Sequence, residues 1–408
     1  MSGFEVISEA MKNNEIKYYE LGELGTFYGG ITGKKKEDFN NGNAKFITYK
    51  NVYVNPALDV ECEDTVFIGD NENQKVLEYG DIIFTGSSET ADECGISSVV
   101  TVEPKEKLYL NSFCFFFRFN DPSIMLPGFA KHLFRSKSIR YQIIKTANGV
   151  TRYNVSKKLM EKVVIPIPPL SVQEELVKIL DELAESTNSL IDELNLEISL
   201  RKKQYDYYKN TLLKENARYR KVKLKDIVSI CMCRRIKKAE TLTKGEIPFY
   251  QNGTLGGEAK LFLDRTVYEA YRKKSKMPSI GEVMLSTAGT IGKAVVFDGE
   301  EAYYQDSNIV WLHNDEKEVS NQYLYWFCKS MPWVLPDRAT LKHLHNYMIE
   351  DTDISIPPKE EQDTIIRLFQ ELYSASTEIE QKIEYEVSLR KHQYEYYSDM
   401  LLTFKEAV

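Results

Sequence analysis

With 408 residues, 42% of them hydrophobic, the chain has room for two or three globular domains. No apolar run approaches the roughly 18 residues that span a bilayer, and Met1 to Lys17 lacks an apolar signal core, so a cytoplasmic protein with no membrane partner is expected. The net charge of −8 excludes a uniformly basic nucleic-acid binder, and the six sparse cysteines exclude a disulfide framework.

The charge is unevenly spread: −2 over 1–169, −4 over 170–213, +3 over 214–358 and −5 over 359–408. A phosphate-binding surface needs a local basic face rather than a basic total. In chain order, Tyr19 to Leu24 forms a charged-apolar lead-in, followed by Gly-, Asn- and Lys-rich loops over Gly29 to Lys36 and Asn40 to Lys45. A glycine-acidic-apolar strand is predicted over Gly80 to Thr85, then a small polar turn at Gly86-Ser87-Ser88. Phe113 to Phe119 reads as a further strand, Gly128 to Lys145 as helical, and Val163 to Ile165 as a closing strand.

A long helix is expected over 170–213. Leu176, Leu180, Leu183, Leu190, Leu194 and Ile198 recur at helical spacing, and no Pro or Gly interrupts them. About 40 residues make a rod of roughly 60 Å. Such a rod cannot bury its apolar stripe alone.

The same order then repeats. The second lead-in is Val222 to Ile227, and the second loop runs from Lys244 to Gly257. The second glycine-acidic strand is Gly281 to Ser286, with its turn at Thr287-Ala288-Gly289-Thr290. Ile309 to Leu312, Gln322 to Met331 and Ile354 to Ile356 match the later elements. A second long helix covers 359–408.

Residues 168–213 align with 357–402 at a constant shift of 189, and nine of twelve positions in 197–208 are identical in 386–397. The economical partner for one helix is the other copy. Tyr205, Tyr207 and Tyr208, with Tyr394, Tyr396 and Tyr397, continue the stripe. That fits helix packing with hydroxyls at the rim better than a stacking surface for bases.

Catalytic patterns are missing. There is no His-Glu-x-x-His, Gly-x-Ser-x-Gly or Cys-x-x-Cys, and Gly289 to Ala294 lacks the spacing of a phosphate loop. Cys231 and Cys233 have no further ligand near them, and the five histidines read as surface or loop residues. What is present suits binding. The first region carries Lys34, Lys35, Lys36, Lys45, Lys50, Asn51, Thr151, Arg152 and Tyr153. The second carries Arg234, Arg235, Lys237, Lys238, Gln251, Asn252, Lys342 and His343. Lys and Arg supply phosphate contacts, and Asn, Gln and Arg supply paired groups for base edges. Each cluster alone reads better as a solvated face, and it is the recurrence in both regions that favours binding by the group.

The entry Ile165-Pro166-Ile167-Pro168-Pro169-Leu170-x-x-Gln173, its echo Ile356-Pro357-Pro358-x-x-x-Gln362, and the duplicated helix ending in Leu-Arg-Lys-x-Gln-Tyr resemble the specificity subunit of a type I restriction-modification system. The resemblance covers the whole length. It implies a mixed α/β fold: target-recognition domains at 1–169 and 214–358, with spacer helices at 170–213 and 359–408. The helices would pack antiparallel as a coiled-coil-like spacer within an internal pseudo-twofold repeat. Each domain would read half of an asymmetric bipartite site in double-stranded DNA. Two methyltransferase subunits would dock on the frame, and restriction subunits would join them. S-adenosylmethionine, ATP and Mg would sit on those partners, with no cofactor and no catalysis on this chain.

Contact with DNA is implied near the turns that hold Ser87, Ser88, Thr287 and Thr290, and near Thr151 and Thr340. B-DNA repeats about every 34–36 Å, so two modules on such a rod could face one side of a duplex. Two other readings stay open on the residues alone. One is a coiled-coil scaffold whose globules bind proteins, which salt-dependent DNA binding would separate. The other is a modification enzyme with an unrecognised site.

Overall fold

The computed structural model describes residues 16–212, 218–331, 333 and 343–404. The chain forms two compact units, one holding residues up to 194 with those from 385 onward, the other holding 195–384. Both are mixed α/β.

The first unit contains, in order, β1 (Lys17–Glu20), β2 (Gly25–Gly29), β3 (Ala44–Ile47), α1 (Tyr49–Val54), β4 (Thr65–Val66), β5 (Ile82–Thr85), β6 (Ser87–Ser88), β7 (Ser97–Val99), β8 (Leu108–Leu110) and β9 (Cys114–Phe119). Then come α2 (Pro127–Leu133), α3 (Lys137–Ile144), β10 (Ala147–Asn148), β11 (Tyr153–Val155), β12 (Val164–Ile167) and the start of α4 (Leu170–Leu212). The centre is an antiparallel sheet in the order β2-β9-β5-β7. Phe84, Phe117, Phe129 and Phe134 fill its core, each fully buried. A fully buried side chain of this size contributes about 2–3 kcal/mol relative to exposure. The helical stretch expected over Gly128 to Lys145 is two helices, because the chain turns at Phe134 to Ser136, where Ser136 Oγ bonds the Leu133 carbonyl.

The second unit repeats the plan with β13 (Arg220–Lys223), β14 (Ser229–Cys231), β15 (Ile247–Tyr250), β16 (Leu261–Leu263), β17 (Val283–Ser286), β18 (Ala294–Val296), β19 (Tyr303–Tyr304), β20 (Ile309–His313), α5 (Asn321–Ser330), β21 (Asp353–Ile356) and α6 (Lys359–Leu402). Its central sheet runs β14-β20-β17-β18. In both units a three-stranded sheet flanks the centre, β4-β3-β8 and β16-β15-β19, and the β3–β8 and β15–β19 pairs are parallel. Each unit's first strand pairs with the strand that leads into a long helix, β1 with β12 and β13 with β21.

The repeated glycine-acidic motif has a structural reason. Gly80 and Gly281 have φ of +87° and +89°, the left-handed region that a Cβ disfavours. The following carboxylate then closes the turn on itself: Asp81 accepts from the Glu78 N–H, and Glu282 from the Ser279 N–H, each at 2.8 Å. A basic side chain from the neighbouring strand completes each site. Arg118 meets Asp81 through two bonds of 2.7 and 2.6 Å, and His313 Nδ1 lies 2.6 Å from Glu282.

Helices α4 and α6 run 43 and 44 residues without a break. Each begins where a proline carbonyl, of Pro169 or Pro358, accepts from the amides three and four residues on. Within the first unit, Leu176 and Leu180 of α4 share a core with Leu401 and Leu402 of α6. Within the second, Lys202 pairs with Glu380 and Tyr205 with Tyr373, so the partner number falls as the residue number rises and the helices are antiparallel. Fully buried Phe369 stacks on Trp326 of α5 at 5.3 Å, anchoring α6 to its globule.

The tyrosine stripe is only partly buried. Tyr205 and Tyr394 are half-buried, while Tyr207, Tyr208, Tyr396 and Tyr397 are exposed. Adjacent tyrosines cannot all face one partner on a helix of 3.6 residues per turn. One histidine also departs from expectation. The His132 side chain is buried in α2, with Nε2 2.6 Å from Asp181 of α4.

Candidate nucleic-acid interface

One end of the central sheet collects the chemistry of the first unit. β5 ends at Thr85 and continues into β6, and β3 ends beside α1. β11 pairs Tyr153 with Ser88 and Asn154 with Ser87. These segments, far apart in sequence, enclose a recess of about 840 Å³. Five predicted residues line it: Lys50, Ser87, Ser88, Thr151 and Arg152. Tyr49, Tyr53, Glu89, Glu93 and Phe113 complete the wall.

The wall is held by specific bonds. Arg152 donates from Nε and Nη2 to Ser87 Oγ at 3.3 and 3.0 Å, and its guanidinium lies 5.9 Å from the exposed Phe113 ring. The Tyr49 hydroxyl donates to the Ser87 carbonyl at 3.0 Å, which ties α1 to β6. Tyr49 and Tyr53 stack at 6.1 Å. Tyr53 and Ser88 hydroxyls donate to the two oxygens of Glu93 at 2.8 and 3.1 Å, and these donors hold its carboxyl below the usual range. Arg140 donates to the carbonyls of Asp92, Cys94 and Gly95, so the segment that carries Glu93 is pinned from behind. Burial lowers the pKa of the Arg140 guanidinium to about 10.

Other predicted residues of this unit lie outside the recess. Lys34 pairs with Glu72, while Lys35 and Lys36 are exposed. Lys45 Nζ donates to the Cys62 carbonyl at 2.8 Å. Tyr153 is half-buried within β11. Asn51 is not free to read a base edge. Its Nδ2 donates to the Asp59 carbonyl, and its Oδ1 accepts from Asn55 and from the Asp59 amide. The paired donor and acceptor that suggested base readout instead close the loop after α1.

The second unit builds its turn in the same register. The Val155 amide donates to the Gly86 carbonyl, and the Leu344 amide to the Thr287 carbonyl. Ala288 bridges His343 as Ser87 pairs with Asn154. Val155 and Asn154 match Leu344 and His343 at the shift of 189 seen in the helices, while the turn residues Gly86 and Ser87 match Thr287 and Ala288 at a shift of 201 (287 − 86). His343 therefore sits at the sheet end, 4.9 Å from His345; burial and that neighbour lower its proton affinity. Lys342 and Thr340 lie outside the described residues.

Thr287 is fully buried, with Oγ1 bonded to the Ser307 carbonyl, so its hydroxyl is structural. Thr290 is exposed, and its carbonyl accepts from Ser286 Oγ. Asn252 Nδ2 comes within 2.5 Å of where a Cβ on Gly289 would stand, so the glycine leaves room for that amide. Gln251 and Asn252 open a turn closed by Thr254. Arg234, Arg235, Lys237 and Lys238 are exposed around buried Ile236. Ser275 and Tyr303 fix the Arg234 backbone. By contrast, Glu246 and Glu301 hold Arg265 and Arg272 in ion pairs.

Five residues of the first recess were not among the site residues read from sequence: Tyr49, Tyr53, Glu89, Glu93 and Phe113. Tyr49 and Tyr53, one helical turn apart, were a legible signal. The glutamates gave none, since acidic residues read against a phosphate-binding surface. Among the described residues there is no cluster of three or more His, Cys, Asp or Glu that could hold a metal ion. No helix there is long and apolar enough to cross a membrane.

The sequence matches the family described as type I restriction modification DNA specificity domain twice, over 13–200 and 216–389. A putative type I restriction enzyme specificity subunit of Haemophilus influenzae is 39% identical over 260 residues, 63% of this chain and 68% of that protein. The EcoR124I/EcoR124II specificity subunit of Escherichia coli is 29% identical over 216 residues, half of this chain (50%) and 49% of that one. Among solved structures, a chain from a study of complex assembly and conformational transition in a type I restriction-modification system aligns with a TM-score of 0.76 at 15% identity, covering 97% of this chain and 98% of that chain. The HsdS subunit of Thermoanaerobacter tengcongensis aligns at 0.58 and 14% identity, covering 95% and 96%. At these identities the structures report the fold alone.

Proposed function

Because the chain belongs to the type I restriction-modification DNA specificity family, we propose that each globule reads one half of an asymmetric bipartite site in double-stranded DNA. The observation that carries this is the duplicated sheet end. In each unit the turn after β5 or β17 pairs with a later segment, Ser87 with Asn154 and Ala288 with His343, and unlike side chains stand beside it: Ser87, Ser88 and Arg152 in one unit, and Asn252 and His343 in the other. Equal frames with unequal readers fit two unlike half-sites. The helices α4 and α6 serve as the spacer between them.

A specificity subunit selects the site and leaves chemistry to its partners. The partners we assign are two methyltransferase subunits, with restriction subunits joining the assembly. S-adenosylmethionine, ATP and Mg would be bound by those partners, in the cytoplasm where the DNA lies. Each unit offers a matching place to dock. Leu196, Leu200, Tyr207 and Tyr208 are exposed on α4, and Tyr385, Leu389, Tyr396 and Tyr397 are exposed at the equivalent positions of α6. Positions i, i+4 and i+11 lie along one helical face, so each set forms an apolar stripe open to a partner. Two copies of one stripe suit two copies of one protein.

The test is a domain exchange. Replacing 1–165 with the matching region of another family member, in the assembled complex, should change one half of the methylated sequence and preserve the other. A change in both halves, or in neither, counts against the reading.

A further inference from the structure

The recess of the first unit combines a fixed carboxylate with a fixed guanidinium, an expensive pairing on a surface that meets a polyanion. Glu93 is held ionised by the Tyr53 and Ser88 hydroxyls, and its segment is pinned by Arg140. A carboxylate has about four acceptor sites, so the Tyr53, Ser88 and Thr90 side chains leave about one free on this exposed residue. Near phosphates such a group repels. It becomes favourable only where DNA offers a donor, and in the major groove the donors are the exocyclic amines of cytosine and adenine.

Arg152 chooses between them. Ser87 takes two of its five N–H groups, which leaves donors for an acceptor pair. Guanine O6 and N7 are that pair, and guanine is the partner of cytosine. Strand β6, at the edge of the small sheet β10-β11-β6, carries Ser87 and Ser88, and β11 beside it begins immediately after Arg152, so the serine and arginine side chains are offered from neighbouring backbone. Glu89 lines the same recess on an exposed position and lacks the hydroxyl donors that fix Glu93.

We propose that Glu93 and Arg152 read one C·G base pair from the major groove, Glu93 accepting from cytosine N4 and Arg152 donating to guanine O6 and N7. This rests on the bipartite-reader function above and names one position within it.

The experiment is methylation mapping with the assembled complex carrying the wild-type chain, Glu93→Gln, Arg152→Gln or Tyr53→Phe. The domain exchange identifies which half-site the first unit reads. In that half, the wild type should require C·G at one position. Glu93→Gln and Arg152→Gln should each reduce discrimination at that same position by roughly tenfold or more. Tyr53→Phe, which keeps the carboxylate but frees it, should produce a smaller loss at the same place. A Glu93 that only braces the wall would lower methylation uniformly, and that result overturns the proposal. So does a half-site with no required C·G pair. If the wild type yields no bipartite motif at all, the parent function falls with it.

Discussion

Gln173 and Gln362, equivalent positions of the two repeats, make the same three hydrogen bonds. Gln173 Oε1 accepts from the Leu126 amide, and its Nε2 donates to the Ile124 and Pro168 carbonyls, all at 2.8–2.9 Å. Gln362 Oε1 accepts from the Ser320 amide, and its Nε2 donates to the Glu318 and Pro357 carbonyls at 2.8–3.0 Å. Both side chains are fully buried. Each amide clamps the first turn of a long helix to the loop ahead of a shorter one, so a globule and its helix move as one body.

Replacing either glutamine by leucine should therefore cost more than one ordinary hydrogen bond. A buried N–H and two carbonyls lose their partner together. We expect a loss of at least about 3 kcal/mol from the unit concerned, since three groups are stranded and each costs about 1–3 kcal/mol. Urea denaturation with limited proteolysis checks this; Gln173→Leu should loosen the first unit and spare the second.

Asp81→Ala should be among the more damaging single changes in the first unit. It removes the two bonds that Asp81 makes with the Arg118 guanidinium, which keeps Glu78 and the Val76 carbonyl, and it opens the Gly80 turn. Breaking a buried pair from one side costs about 3–5 kcal/mol, and the partners that Arg118 keeps hold the loss below that range. Glu61→Ala breaks only the exposed pair with Lys105, which water and salt screen, so it should leave the denaturation midpoint almost unchanged. Equal shifts for the two variants would contradict the difference in burial drawn here.

His132 should make stability depend on pH. Burial lowers its pKa below the usual 6.5, and Asp181 offsets only part of that effect. The unfolded chain then takes up a proton before the folded one. Stability from this group is present above about pH 6.5 and is lost as pH falls toward the lowered folded value. His132→Asn should flatten that slope in denaturation midpoints measured from about pH 8 to about pH 5.5.

Reversing Arg234, Arg235, Lys237 and Lys238 to Glu should weaken binding of the assembled complex to any DNA sequence. Each phosphate that is no longer neutralised should reduce the slope of log K against log salt by about 0.9. An unchanged slope in titrations at several salt concentrations would remove this exposed run from the interface.

The repeat, the long helices and the glycine-acidic strands were legible in the sequence because their causes are local. A stripe at helical spacing, a proline pair that starts a helix, and a glycine that permits positive φ act over a few residues. The shift of 189 ties the two long helices to each other, while the glycine-acidic strands match at an offset of 201 (281 − 80). The recess was not legible in the same way. Its walls come from residues 49–53, 87–93, 113 and 151–152, which the sheet brings together. Only the folded sheet decides that Asn51 spends its amide on a loop, that Thr287 is buried, and that Glu93 becomes a fixed acceptor. A side chain's type sets what it could bind, but its free donors and acceptors are known only after the fold has used the others.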